Sequence, residues 1–221
     1  MVDPELRCQA APIPAAKRVC DLLAVGALAP LLCLVAACLL VLNPVFNPGP
    51  LLFTQVRTGR GGASFRMFKF RSMVGTARAP AFAPAEARRI SRLGALIRLA
   101  HLDELPQLIN VLRGEMSLVG PRPEQVYFAR AYARLLPRYR LRHSVLPGIT
   151  GRAQVLQGYA ASESQAQQKL RHDLAYIEDR GAFRDLRVCL ASAVLLCAGR
   201  AWAAHVLVWR PARALEVVIS R

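Results

Sequence analysis

From Val19 to Leu42 the chain runs through 24 residues that only Asp21, Gly26 and Pro30 interrupt, the rest being aliphatic, alanine or cysteine. No other feature restricts the available folds as much. As a helix the run is about 36 Å long, enough for a hydrocarbon core of about 30 Å. No small-residue cleavage site leads from it into a polar chain, so it does not read as a cleaved leader. Pro30 stands in its middle, removes one backbone hydrogen bond and predicts a bend there. Lys17 and Arg18 precede the run, and Arg57, Arg60, Arg66, Lys69 and Arg71 follow the turn-rich Asn43–Pro50. Positive charge on both flanks assigns no orientation. Two arrangements stay open: a spanning helix, or a re-entrant one that bends at Pro30 and leaves by the face it entered. Half-helices of about 16–20 Å are too short to cross.

With 221 residues, 54% of them hydrophobic, the chain can bury a core without a disulfide scaffold. Lys and Arg number 30 against 14 Asp and Glu, a net charge of +16, which calls for an anionic partner. Nucleic acid explains the charge but not Val19–Leu42, and aromatics are only 7%, few for base stacking. A lipid surface and a phosphorylated substrate are the other candidates. The six cysteines form no CxxC pair and read as reduced structural thiols.

Arg57 to Arg98 holds ten basic residues and one acid, Glu86. Within it Gly59–Met73 predicts a hairpin, with a turn at Gly59, Gly61 and Gly62 and alternation through Phe65-Arg66-Met67-Phe68-Lys69-Phe70. Thr76–Ala87 reads as a loop. Arg88–Ala100 reads as a helix on Ile90, Leu93, Leu96 and Ile97. A second helix starts near Pro106, buries Leu105, Leu108, Ile109 and Leu112, and ends at Gly114. Gln154 onward returns to polar helix through Ser162–Tyr176. Phe183–Val208 is apolar but carries Arg184, Asp185, Arg187 and Arg200, which points to an amphipathic helix lying on the membrane or the core.

The second helix places Asp103 and Glu104 at its N-terminus amid basic residues. Acids there often only cap a helix. Two adjacent carboxylates in so basic a setting have a second use. Cations would keep one ionised and draw a phosphate to it, so that it acts as a nucleophile forming an acyl phosphate. The other could orient it or bind Mg²⁺. In Gly120-Pro121-Arg122-Pro123 two prolines stiffen the backbone about Arg122, giving either a rigid turn or a preorganised phosphate clamp. Pro147-Gly148-Ile149-Thr150-Gly151 is a further tight turn, preceded by Arg138, Arg140 and Arg142.

Leu102-Asp103-Glu104-Leu105-Pro106-Gln107 and Asn110 through Pro123 resemble the bacterial sugar transferases, the monotopic polyprenyl-phosphate phosphoglycosyl transferases. Lys69-Phe70-Arg71-Ser72-Met73, Arg89-Ile90-Ser91-Arg92-Leu93-Gly94 and Pro147–Gly151 follow the family's order, and the resemblance covers Lys17 to Gly199. It implies transfer of a phospho-sugar from a nucleotide-diphosphate sugar, UDP-linked by expectation, to polyprenyl (undecaprenyl) phosphate, beginning an exopolysaccharide or other surface glycan. By match Asp103 is the nucleophile of a covalent phosphosugar-enzyme and Glu104 its partner. Mg²⁺ at Asp103 and Glu104 neutralises the diphosphate, and Lys69, Arg98 and Arg122 surround it. The family's membrane helix is re-entrant, which places the kink at Pro30.

The expected fold is α+β and mostly helical, with that re-entrant helix, a small hairpin and interfacial amphipathic helices about the site. Residues 1–16 form a tail, 17–50 the membrane hairpin, 51–199 the catalytic domain and 200–221 an extension without a match. The expected location is the cytoplasmic face of a bacterial inner membrane with anionic lipids. Partners are the lipid phosphate and nucleotide sugar, with no nucleic acid; a second copy or downstream glycosyltransferases remain open. The chain looks like the minimal catalytic form, and the rival is an inactive membrane scaffold of a glycan assembly complex. Three positions depart from the family: Ala29 precedes Pro30 where Ser is frequent, His101 replaces a Ser, and Leu156-Gln157-Gly158-Tyr159 stands in for Asn-Gly-Arg. The last reads as a different donor-binding loop, so the sugar stays open.

Overall fold

The apolar run folds as part of one helix, α1, from Ala15 to Phe46. A computed structural model describes residues 2–74, 90–157 and 163–198. The loop at 76–87, Gly158-Tyr159 of the departing loop and the extension at 200–221 lie outside the described residues. The 32 residues of α1 amount to about 48 Å of helix. Pro30 and Pro44 sit inside it, and the helix continues through both. Almost none of its most apolar stretch is covered, and by length and composition it could cross a membrane. Leu23, Leu34 and Val41 are exposed, whereas Asp21, Leu39 and Asn43 are buried. The rest is mostly helical with two small two-stranded sheets.

β1 (Leu52–Thr58) and β2 (Ser64–Phe70) pair antiparallel, Leu52 opposite Phe70 and Thr58 opposite Ser64. The expected turn at Gly59–Gly62 is present, but the hairpin begins at Leu52, ahead of Gly59, and β2 ends at Phe70, short of Met73. Arg57 and Gln55 lie inside β1, where the basic side chain obscures the strand pattern. Gly62 adopts φ +80°, and a Cβ on it would come within 2.5 Å of the Leu6 carbonyl oxygen. The same contact ties the residues before α1 to the domain. Asp3 N donates to the Gly62 carbonyl at 3.1 Å, Arg130 Nε donates to Asp3 Oδ2 at 2.7 Å, and Leu6 is fully buried. Leu6 packs with Ala129, Leu136, Tyr139, Ala166 and Leu170.

α2 runs from Arg92 to Leu99, shorter than expected, because Ser91 caps it by accepting from Gly94 N at 2.9 Å. Leu96 and Leu99 are exposed, and Ile97 is buried against Phe70 and Leu39. A 3₁₀ turn, Leu102–Glu104, then precedes the short α3 (Gln107–Leu112). Here the expected buried face is only half right: Leu108 is buried, but Leu112 is 59% exposed, while Gln107 and Asn110 are fully buried. The tighter 3₁₀ turn shifts the helix phase. Asn110 faces inward because it is fully bonded: Phe68 N donates to its Oδ1 at 3.0 Å, and its Nδ2 donates to Arg66 O and Glu115 Oε2, each at 2.7 Å.

β3 (Ser117–Val119) and β4 (Gly148–Thr150) pair in parallel, Ser117 with Gly148 and Val119 with Thr150. Helices α4 (Val126–Leu135), α5 (Arg152–Leu156), α6 (Glu163–Glu178) and α7 (Ala182–Ala198) complete the domain. Val119, Val155, Tyr176, Val188 and Ala191 form one core behind β3. Three glycines make the β3–β4 junction possible. A Cβ on Gly148 would lie 2.1 Å from Gly120 N, and one on Gly151 would lie 2.2 Å from Gly120 O. Both obstacles are backbone, which cannot rotate away. Gly148→Ala therefore lowers the melting temperature by at least about 2 °C, a cost of one or more kcal/mol spread over a domain of this size. Gly181→Ala, with nothing within 4 Å, leaves it unchanged, and thermal denaturation of the two variants checks this.

Candidate active site

Two separate segments converge on Glu104. Lys69, from the end of β2, places Nζ 2.6 Å from Glu104 Oε1. Arg122, from the Gly120–Pro123 turn, places Nη2 2.5 Å from the same oxygen and Nη1 3.3 Å from Oε2. Burial works against the charge of Glu104, but Arg122 and Lys69 outweigh it and hold its carboxyl well below the usual carboxylate range. Burial also lowers Lys69, with Glu104 opposing it.

Asp103 occupies the same 3₁₀ turn, only 6% exposed, yet its carboxylate has no hydrogen bond or ion pair among the described residues. Burial pushes its carboxyl up, Lys69 and Arg98 pull it down, and Glu104 adds to the rise. His101, just before the turn, has φ 54° and ψ 18°, the left-handed conformation in which His is several-fold enriched. It reverses the chain out of α2 and sets Leu102–Glu104 against β2. Asp103 and Glu104 thus sit in a turn before α3 rather than at a helix N-terminus.

The structure brings Lys69, Asp103, Glu104 and Arg122 together. Arg98, half-buried in the last turn of α2, acts on Asp103 through space and makes no bond to the cluster. Pro30 is exposed on α1 and takes no part in the cluster. For Mg²⁺, the available donor is Asp103, because both oxygens of Glu104 are held by cations. Mg²⁺ commonly takes one or two carboxylates and completes its shell with substrate phosphates and water. The residues suit it on those terms, with Glu104 joining only on release of a cation. No group of three acids, cysteines or histidines is placed to hold a metal among the described residues.

Behind Arg122 lies a layer that sequence reading missed. Arg142, fully enclosed, donates from Nη2 to the Arg122 carbonyl at 2.9 Å, from Nη1 to Tyr139 Oη at 2.9 Å and from Nε to Asp173 Oδ2 at 3.0 Å. Glu124, two residues after Arg122, pairs with Lys169, and Arg57 Nη1 donates to the Pro123 carbonyl at 3.2 Å. Lys169 and Asp173 are four residues apart and share a face of α6, the one local hint available.

Acid should undo this layer. Burial opposes the charge of Glu124, but Lys169 and Arg142 hold its carboxyl down at about 2. Its stabilisation is complete above about 4.5 and is lost as pH falls toward about 2. Burial, with Arg142 beside it, pushes His143 down to about 3, so below about 6.5 only the unfolded chain takes up that proton. Burial also lowers His172, with Arg152 adding to it. The melting temperature therefore begins to fall below pH about 6.5, and in His143→Gln the decline between pH about 6.5 and 4.5 is shallower than in the native chain, as a pH series of thermal scans would show.

Comparison with known proteins places this geometry in context. The family model described as bacterial sugar transferase matches residues 13–199. The UDP-N-acetylgalactosamine-undecaprenyl-phosphate N-acetylgalactosaminephosphotransferase of Aeromonas hydrophila is 42% identical over 174 residues, 78% of this chain and 41% of that protein. The UDP-glucose:undecaprenyl-phosphate glucose-1-phosphate transferase of Caulobacter vibrioides is 41% identical over 182 residues, 79% of this chain and 67% of that one. The exopolysaccharide production protein PSS of Rhizobium leguminosarum bv. phaseoli is 37% identical over 179 residues, 76% of this chain and 86% of its own length. The chain thus spans under half of the Aeromonas relative and about two thirds of the Caulobacter one.

Proposed function

The chain belongs to the bacterial sugar transferases, and on that membership and the cluster about Glu104 we propose that it transfers a sugar 1-phosphate from a UDP-sugar to undecaprenyl phosphate, the first step of an exopolysaccharide or related surface glycan. The relatives named for this reaction on UDP-glucose and UDP-N-acetylgalactosamine support the substrate classes. One observation carries the chemistry: the two adjacent carboxylates are differently used. Glu104 is neutralised by Lys69 and Arg122, while Asp103 beside it is left without a hydrogen bond or ion pair among the described residues.

Asp103 then attacks the phosphorus that bears the sugar. A bond forms from its carboxylate oxygen to that phosphorus, the bridge to the second phosphorus breaks, and UMP leaves with the electron pair. An oxygen of undecaprenyl phosphate attacks the acyl phosphate, the carboxylate is released, and the sugar is joined to the lipid through a diphosphate. Glu104 holds Lys69 and Arg122 side by side, so that two cations stand where they oppose the diphosphate charge. Mg²⁺, when bound with Asp103 as its protein ligand, supplies neutralisation of the diphosphate.

The lipid acceptor requires a site at a membrane, which we assign to the cytoplasmic face of the inner membrane. Support for a re-entrant α1 comes from its attachments. Arg18 and Asp21 near its start bond to α3 and β3, Leu39 packs on Phe70 and Ile97, and just beyond its end Asn47 Nδ2 donates to the Arg71 carbonyl at 2.8 Å. Both ends hold the same domain, which favours a path that enters and leaves the membrane by one face, with the bend assigned to Pro30. The exposed Leu96 and Leu99 of α2 and Phe183, Leu186 and Leu190 of α7 suit the interface.

Intact-protein mass spectrometry of detergent-solubilised enzyme with Mg²⁺ and a panel of UDP-sugars, without lipid, should show one phosphosugar added to the native chain and none to Asp103→Asn. No adduct and no UMP release with undecaprenyl phosphate would sink the reading and favour the scaffold. Arg122→Ala should lower transfer at least tenfold, while Arg171→Ala, exposed on α6, leaves it near the native rate. Equal losses in the two would remove Arg122 from the site.

A further inference from the structure

Asp21 is a carboxylate within an apolar helix, yet it is only 2% exposed, a placement that costs free energy unless the group is bonded. Its Oδ1 accepts from Ser117 Oγ at 2.9 Å and from Leu118 N at 3.0 Å, at the start of β3. One turn earlier on the same face, Arg18 donates from Nη1 to the Val111 carbonyl at 2.5 Å and from Nη2 to the Leu112 carbonyl at 2.8 Å. These are last-turn carbonyls of α3, where a cation also answers the helix dipole. Lys17 completes the turn, with Nζ 3.0 Å from the Val119 carbonyl and 2.6 Å from Asp185 Oδ2.

These bonds meet at one place in the chain. Asp103 and Glu104 lie just before α3, and Arg122 lies three residues beyond β3. The bend between them is Arg113–Met116, with Leu112 on one side and Ser117 on the other. Arg18 holds the first edge of that bend and Asp21 the second. We infer that the first two turns of α1 set the spacing between the carboxylate pair and Arg122, with Asp21 as a positioning residue for transfer. The membrane helix is then part of the active-site frame as well as an anchor. This inference rests on the proposed function for its kinetic consequence, though not for its structural one.

The test uses the full chain in lipid nanodiscs and two substitutions. Asp21→Leu removes the acceptor, and Asp21→Asn keeps an oxygen where Oδ1 stands. Two quantities are measured: kcat and KM for UMP release in the presence of undecaprenyl phosphate, and amide hydrogen exchange across residues 112–122. Asp21→Leu should lower kcat at least tenfold, change KM for the UDP-sugar less than threefold, and speed exchange at Ser117–Arg122 at least tenfold. Asp21→Asn should recover most of both. If Asp21→Leu fails to fold, Ser117→Ala serves instead, with a kcat loss of threefold or more expected. Native kcat and native exchange in Asp21→Leu (or in Ser117→Ala) overturn the inference, as do equal losses in the Asn and Leu variants. A native chain that releases no UMP, with exchange still responding to Asp21→Leu, overturns the proposed function and leaves the structural coupling standing.

Discussion

Glu104 is the group on which the site depends. Lys69 and Arg122 carry like charges and lie close enough for Arg122 to depress Lys69, so neither would hold its place without the carboxylate between them. Removing one member of such a cluster leaves buried charge uncompensated, a loss of about 3–5 kcal/mol. The same cluster ties β2, the Leu102–Glu104 turn and the Gly120–Pro123 turn together. Among the described residues it also leaves Asp103 as the member of the pair with no competing bond.

Holding Arg122 in place requires a second layer. Close backbone approach at Gly120, Gly148 and Gly151 brings the Pro147–Gly151 turn against the arginine's turn. Arg142 then binds the Arg122 carbonyl from behind and is itself neutralised by Asp173. Tyr139, which bonds Arg142, packs in the cluster that buries Leu6, so the segment before α1 supports the site from the far side. These contacts join parts of the chain up to about 160 residues apart, and each restricts the freedom of a charged side chain before substrate arrives.

Much of this was legible in the residues. The length of α1 follows from an apolar run with no charge to bury except Asp21, and β2 follows from alternation through Phe65–Phe70. The Asp103–Glu104 pair and the proline-framed Arg122 stand out in a basic chain. Other features were not legible for local reasons. β1 is masked by Gln55 and Arg57, whose polar groups find partners only in the folded state. Leu112 fits a buried helical face, but a 3₁₀ turn ahead of α3 rotates Asn110 and Gln107 inward in its place. Arg142 reads as one of several arginines near a turn, and only tertiary contact distinguishes it from exposed Arg140.

What the sequence determined by itself is therefore the inventory: an apolar helix, a basic strand, two adjacent acids and a stiffened arginine, because propensity, periodicity and charge act over a few residues. Tertiary structure decided the roles within it. Asp103 and Glu104 are neighbours with the same chemistry, and what separates them is that Lys69 and Arg122 arrive at one and not the other. Asp21 likewise reads as an interruption until Ser117 and Leu118 are brought against it. Coulomb and hydrogen-bond energies depend on distance in space, and folding sets those distances between residues that local sequence pattern cannot relate.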